Sequence, residues 1–208
     1  MKYHGIFITL NAREILEIKL VTIKKSDSEL QANMKIHYSQ PKGFVGRSIC
    51  YRIDYDSITY GHIVGTSAIQ VLRFRDIFFD VRTHRHINNF VNNGFYHIEK
   101  QNGRYPVRNF TTKVLLEFEK KIMEDWAKKY GDEIWGFESL IEPPRTGECY
   151  RRAGWTHFTE TRGYSCRRVG GFEKGGSFTE GKRVWTRNTK PKLIFYKKTL
   201  NLINQNRH

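Results

Sequence analysis

Between Phe110 and Tyr130 the chain carries one uninterrupted run in which Phe110, Val114, Leu115, Phe118, Ile122, Trp126 and Tyr130 recur at steps of three and four. That spacing puts them on one face of a long α-helix, because 3.6 residues make a turn. Asn109 stands where a side chain caps a helix N-terminus, and Gly131 stands where a left-handed residue stops one. A long one-sided helix must bury its stripe. Phe95 to Glu99 before it and Ile134 to Ile141 after it read as the strands that cover that stripe. This predicts an α/β layout with a mixed central sheet flanked by helices.

The remaining elements follow from local signals. Ile6 to Leu10 reads as an opening strand, with a helix beginning near Asn11. Ser26 and Asp27 start a second short helix or turn that leads into Ile36-His37-Tyr38-Ser39. Gly46 to Tyr55 and Ile58 to Ala68 are β-rich and flank the turn-prone Tyr55-Asp56-Ser57, the pattern of an antiparallel hairpin. Gln70 to Asn92 is poorly periodic and reads as a long loop. Pro143-Pro144 breaks the chain after Ile141, Gly147 to Ala153 forms a short helix, and Trp155 to Thr161 and Leu193 to Tyr196 return to β structure.

Charge decides the class of partner. The 208 residues carry a formal charge of +15. From Tyr150 to His208 there are 14 Lys or Arg against 3 Asp or Glu, so the excess lies mainly at the C-terminal end. Gly170, Gly171, Phe172, Gly175, Gly176, Phe178 and Trp185 interleave those cations. Clustered cations neutralise phosphates and rings stack on bases, so Arg151, Arg152, Arg167, Arg168, Lys182, Arg183, Trp185 and Arg187 are the expected nucleic-acid contacts. DNA is therefore the expected partner, and a membrane is not, because the tract lacks an amphipathic helical period. No apolar run approaches the ~18 residues that span a bilayer. Only Cys50, Cys149 and Cys166 are present, with no Cys-x-x-Cys pair, which argues for a reducing, cytoplasmic compartment and against a disulfide scaffold or zinc module. Serine-hydrolase and Walker-type phosphate-loop motifs are also missing.

One segment carries more specific information. Cys149-Tyr150-Arg151-Arg152-Ala153-Gly154-Trp155 closes a strand–helix–strand–helix–strand order and resembles the GNAT acyltransferases, where a Tyr-x-x-x-Gly-aromatic segment ends the helix after the fifth strand. His37-Tyr38, Asn92-Asn93, Asn109 with Thr111-Thr112, Glu142-Pro143, Gly147 to Trp155 and Pro191-Lys192-x-x-x-Phe195-Tyr196 occur in that order. Together they resemble the DruA-type proteins of Druantia defence systems and, more remotely, the Mom-type DNA-modification proteins. The resemblance spans about residues 36 to 200. It implies a GNAT-like domain over residues 1–165, with residues 1–35 unmatched, and a basic extension over 166–208 that returns to the sheet at about 193–196.

The resemblance implies a transferase that places a small acyl-type group on the exocyclic amine of adenine in DNA. The other reading is a catalytically silent DNA-binding subunit of a phage or anti-phage assembly. His37, Tyr38, Glu142 and Tyr150 are the implied catalytic residues, with Tyr150 as general acid toward a leaving group and Glu142 taking or holding the proton of the amine. His37 and Tyr38 are also the implied ligands of an iron ion. Each has a structural alternative: a hydrogen-bonded His, packed aromatics and a surface carboxylate. An acyl-CoA or other acyl donor would lie at the start of the long helix, near Arg104, Arg108, Asn109, Thr111 and Thr112. There the sequence departs from the GNAT pattern. Gly103-Arg104-Tyr105-Pro106-Val107-Arg108-Asn109 has no paired glycines, and Pro106 lacks an N–H. His84, Arg85 and His86 read as a nucleic-acid-contacting loop or a solvated charge run, and Cys149 as a packing residue rather than a nucleophile.

Overall fold

Asp56 and Ser57 both take positive φ, 51° and 59°, the primed-turn geometry whose twist matches that of the strands it joins. The turn closes β2 (Ser48–Tyr55) onto β3 (Ile58–Ser67) in antiparallel register. This hairpin starts the sheet seen in the computed structural model of the protein, which describes residues 17–70, 72, 74–169, 182–187 and 190–205. The strand and helix expected at Ile6–Leu10 and Asn11 onward lie outside the described residues. β1 (Ile18–Ile23) adds antiparallel to β2; the sequence reading placed no strand there.

α1 (Ser28–Ile36) precedes the hairpin and is capped by Asp27, whose carboxylate accepts from the Glu29 and Leu30 amides at 3.1 and 3.0 Å. β4 (Phe90–Ile98) pairs antiparallel with β3 and is five residues longer at its start than the expected Phe95–Glu99. Asn92, Asn93 and Gly94 hide that extension in the sequence, since all three are poor strand formers held here by the ladder. The segment before β4 is not all loop: α2 (Arg75–Phe79) and two 3₁₀ turns at Thr83–Arg85 and Ile87–Asn89 lie within it.

α3 (Phe110–Tyr130) has the predicted bounds, and Gly131 ends it at φ 75°. It connects β4 to β5 (Gly136–Ile141), which lies parallel to β4. α4 (Glu148–Arg152), β6 (Thr156–Glu160), a two-stranded ladder of β7 (Tyr164–Val169) and β8 (Lys182–Arg187), β9 (Leu193–Lys198) and α5 (Leu200–Gln205) complete the order. β9 inserts between β5 and β6, giving the seven-stranded order β1-β2-β3-β4-β5-β9-β6. Thus Leu193–Lys198 is an interior strand of the main sheet. The expectation of a mixed α/β sheet with flanking helices holds.

Strand alternation divides the core in two. Tyr51, Ile53 and Ile63 face α3, meeting Phe118, Ile122 and Trp126. Cys50 and Val64 face the other way onto Leu30 and Met34 of α1. Phe79 of α2 and Leu202 of α5 cover Phe90, Ile194 and Tyr196. Gly65 lets α3 approach the sheet, because a Cβ there would lie 2.0 Å from the Ile122 Cδ1. One buried ion pair crosses these layers. Arg75 Nε donates to Glu138 Oε2 at 2.7 Å and Arg75 Nη2 to Glu138 Oε1 at 3.1 Å, with both side chains almost fully buried. Glu138 also accepts from the Ile69 amide at 2.6 Å, and Arg75 donates to the Ile69 carbonyl.

Candidate active site

β4 and β5 pair only at Phe90–Gly136, Val91–Phe137 and Asn92–Glu138, although both strands continue. Beyond that point they part. The β4 ladder with β3 skips Gly94, a bulge that leaves one residue unpaired at the start of the divergence. A cleft of about 620 Å³ fills the opening, within the size range of small-molecule sites.

Its floor is polar. The Tyr150 hydroxyl oxygen accepts from Asn93 Nδ2 at 3.1 Å and from Ser139 Oγ at 3.3 Å. Both partners are buried, and the single Ser139 proton is shared between the phenol oxygen and the Asn93 carbonyl, also 3.3 Å away; no hydrogen bond among the described residues has the phenol as donor, so its proton can be given to a bound group. Burial pushes the Tyr150 pKa far above the ordinary phenol range, so the group keeps its proton at any physiological pH. Asn93 Oδ1 is buried without a hydrogen-bond partner among the described residues, as is Asn92 Oδ1. An acceptor of this kind is open to an N–H or O–H donor that enters the cleft.

Tyr150 is held there by α4. Gly147 precedes that helix at φ 70°, and any Cβ would lie 2.5 Å from the Phe195 ring. Behind it, Trp155 Nε1 donates to Glu119 Oε1 at 2.6 Å, while Lys197 Nζ donates to Glu119 Oε2 at 2.5 Å and to the Ala153 carbonyl at 2.6 Å. This network pins the Gly154-Trp155 turn between α3 and β9. It gives the Tyr150–Trp155 spacing its physical meaning.

His37 and Tyr38 follow the C-terminus of α1 and form one wall. His37 is buried against Tyr38 and Phe95, with ring centroids 4.2 and 4.7 Å away, and its Nδ1 lies 2.8 Å from Ser39 Oγ. Burial, with the nearby His97 ring adding to it, lowers the His37 pKa from 6.5 to about 4. The unfolded ring takes a proton near 6.5 and the folded one resists it until about 4, so stability is lost as pH falls through that window. The loss reaches at most about 3 kcal/mol. Thermal unfolding followed between pH 7.5 and 4.5 should show Tm falling, and His37→Gln should flatten the slope. His62, buried on β3 with its Nδ1 2.9 Å from Asn33 Nδ2, is shifted in the same direction by burial and retains a residual slope in that variant.

Tyr38 extends toward the opposite wall, where the Arg145 guanidinium lies 3.6 Å from its ring centroid. Burial raises the Tyr38 pKa, with Arg145 opposing it. Glu142 is half-buried at the rim, 3.6 Å from Lys192 Nζ. The cleft thus gathers His37, Tyr38 and Tyr150, with Glu142 beside it, and adds Asn93, Ser139, Arg145 and Lys192. Of these four, only Asn93 and Lys192 stood in the motifs read from the sequence, without an assigned role.

The helix-start residues are arranged differently. Asn109 occupies the N-cap position at φ 57°, yet its side chain makes no capping bond. Arg152 Nη1 donates to its Oδ1 at 3.1 Å, drawing the side chain to α4, and this corrects the capping expectation. Thr111 lines the cleft, and its carbonyl accepts from the Tyr96 hydroxyl at 2.6 Å, whereas Thr112 is buried. Arg104 and Arg108 are exposed on the preceding loop. Arg151 donates to the Thr146 carbonyl at 2.6 Å and Arg152 to Glu148 at 2.9 Å, so both expected DNA contacts also have partners within the chain. His84, Arg85 and His86 are exposed, and the His86 ring lies tilted against Trp135 with centroids 4.8 Å apart. Among the described residues no three His, Cys, Asp or Glu side chains are grouped to hold a metal ion, so the iron expectation gains no support. No described helix is long and apolar enough to cross a membrane.

No protein-family model and no curated protein matches this chain. Solved structures do. An acetyltransferase of Bacillus subtilis, in complex with CoA, is 13% identical, covers 89% of this chain and 99% of its own, and superposes with a TM-score of 0.51. The aminoglycoside acetyltransferase AAC(6')-Ib, in complex with coenzyme A and kanamycin, is 11% identical, with coverage of 92% and 100% and a TM-score of 0.49. A GNAT-family acetyltransferase of Streptococcus pneumoniae is 12% identical, with coverage of 88% and 100% and a TM-score of 0.43. The first of these carries the argument, and it shows the fold alone: a mixed sheet flanked by helices with a GNAT-like arrangement.

Proposed function

We propose that the protein transfers a small acyl-type group to an amine, and that the acceptor is the exocyclic amine of adenine in DNA, as in the Mom-type proteins it resembles. One observation carries the reading. A proton-bearing phenol, Tyr150, and an orphaned buried amide oxygen, Asn93 Oδ1, share the floor of the cleft where β4 and β5 part. Asn93 Oδ1 accepts from the amine N–H and aims the nitrogen lone pair at the acyl carbon. As the C–N bond forms and the bond to the leaving atom breaks, Tyr150 donates its proton to that atom. The amine proton passes to Glu142 at the rim.

An acyl-CoA or comparable carrier supplies the activated acyl carbon when bound. The α3 N-terminus fits its phosphates, because Asn109 leaves the first-turn amides uncapped and Arg104 and Arg108 stand exposed beside them. The DNA grip rests on the C-terminal charge. In the β7–β8 ladder Arg168 pairs with Arg183 and Tyr164 with Arg187 in register. The other reading, a DNA-binding subunit without catalysis, is favoured by the loop before α3, where paired glycines are missing and Pro106 has no N–H to offer.

The test is to express the protein, digest cellular DNA to nucleosides and search by mass spectrometry for an altered adenosine, with Tyr150→Phe and Glu142→Gln as controls. Unaltered adenosine in every host and with every donor tried, combined with tight and salt-sensitive DNA binding, would assign the protein to the second reading.

A further inference from the structure

The Tyr38–Arg145 pair is unusual for a cleft wall. The guanidinium carbon lies over the ring, 3.6 Å from its centroid, as close as one aromatic system lies to another stacked on it. Arg145 is exposed, on the loop after cis Pro143-Pro144, so its guanidinium is free to swing while its backbone is anchored by the Arg145 amide donating to the Glu142 carbonyl at 3.2 Å. Tyr38 packs on the His37 ring, which is itself held against Phe95. The ring is therefore a rigid platform with a displaceable planar cover.

We infer that Tyr38 is the stacking platform for the acceptor nucleobase, that the Arg145 guanidinium covers this ring, and that an entering nucleotide displaces the guanidinium from the ring onto the nucleotide phosphate. Three features support this. Nucleobases stack on tyrosine rings irrespective of sequence, and the guanidinium is both a planar mimic of a base and a fork for phosphate oxygens. Tyr38, Arg145, Asn93 and Tyr150 line one cleft, so a base lying on the ring can direct its amine toward the polar floor. Lys192, half-buried on the same wall, adds a second cation for the phosphate. A base can reach this depth only as an unstacked nucleotide, so the strand must present it flipped out or single-stranded. The inference rests on the nucleic-acid acceptor reading but makes a narrower claim: it assigns base recognition to Tyr38 and phosphate recognition to Arg145.

The experiment measures binding of 2′-deoxyadenosine 5′-monophosphate, 2′-deoxyadenosine and deoxyribose 5-phosphate to the full chain by saturation-transfer NMR titration. Binding of mixed duplex and single-stranded DNA is followed in parallel by fluorescence anisotropy. In the wild type the monophosphate should bind tightest, with transfer strongest to its base protons. Tyr38→Phe keeps the ring and should retain this binding. Tyr38→Leu should weaken it roughly 5- to 150-fold, the range measured for losing one base–aromatic stack. Arg145→Ala uncovers the ring but removes the phosphate partner, so the preference for the monophosphate over the nucleoside should collapse toward one. A merely structural Arg145 would lower both affinities together, and that result would overturn the proposal. Equal binding of deoxyribose 5-phosphate and the monophosphate would also overturn it, as would unaltered binding by Tyr38→Leu. If DNA binds while any of these outcomes holds, the acceptor reading survives and only the platform is lost. If neither DNA nor the monophosphate binds, both fail.

Discussion

Under the proposed function, replacing Tyr150 with Phe lowers the rate of adenosine modification by about 10²–10⁴, the usual contribution of a positioned general acid. The ring remains to pack against Trp155 and Phe195, whose centroids lie 5.1 and 5.5 Å away, so the variant loses the proton and little of the packing. Its structural cost is bounded. Asn93 Nδ2 loses its acceptor, while Ser139 Oγ keeps the Asn93 carbonyl at 3.3 Å; the unpaired amide destabilises the fold by about 1–3 kcal/mol and is read as a modest drop in Tm. Because burial keeps the phenol protonated throughout the physiological range, the wild-type rate should show no alkaline decline traceable to Tyr150 between pH 6 and 9. Ser139→Ala is the contrasting variant: it removes one donor to the hydroxyl but leaves the proton, and should cost far less rate. If Tyr150→Phe turned over within threefold of wild type, Tyr150 would be a packing residue and the proton would have to come from elsewhere.

The second large effect is on stability. Arg75→Ala or Glu138→Ala leaves a buried charge without its partner, and each should destabilise the protein by about 3–5 kcal/mol in denaturant melts. The doubly substituted Arg75→Met, Glu138→Leu variant should lose much less than the sum of the two, because it strands no charge. Burial raises the Glu138 pKa even with Arg75 and the Ile69 amide opposing it, which marks the carboxylate as costly to bury. The pair nonetheless has a positional use. It ties Ile69, a residue of the cleft, to β5 at Glu138, the last position where β4 and β5 still pair. The double variant should therefore fold yet bind nucleotide less well, separating stability from site geometry. Near-additive losses would mean that the pair acts only through packing.

Much of the architecture was legible in the residues. The apolar stripe of α3, its Gly131 stop, the hairpin around Asp56-Ser57 and the Gly147–Trp155 segment are local patterns, and each has its expected place in the fold. What escaped reading was whatever depends on partners far away in the chain. β1 has no clean alternation and is a strand because β2 offers its edge. The start of β4 hides behind Asn-Asn-Gly, and Arg75 sits in a stretch without periodicity although its partner lies 63 residues later.

The site divides in the same way. His37, Tyr38, Glu142 and Tyr150 were named from the sequence because a motif carries residue types and spacing. No motif carries an orphaned acceptor, a stacked guanidinium or a cap diverted by Arg152. Those arise where chain segments converge, and only the tertiary structure brings α1, β4, β5 and the loop before α4 around one opening. Sequence alone determined a basic chain with one long amphipathic helix among strands, because composition and period are local properties. The fold decided where two parallel strands stop pairing, and hence where a substrate can enter, because that divergence depends on the bulge at Gly94 and on β9 holding β5 from the other side.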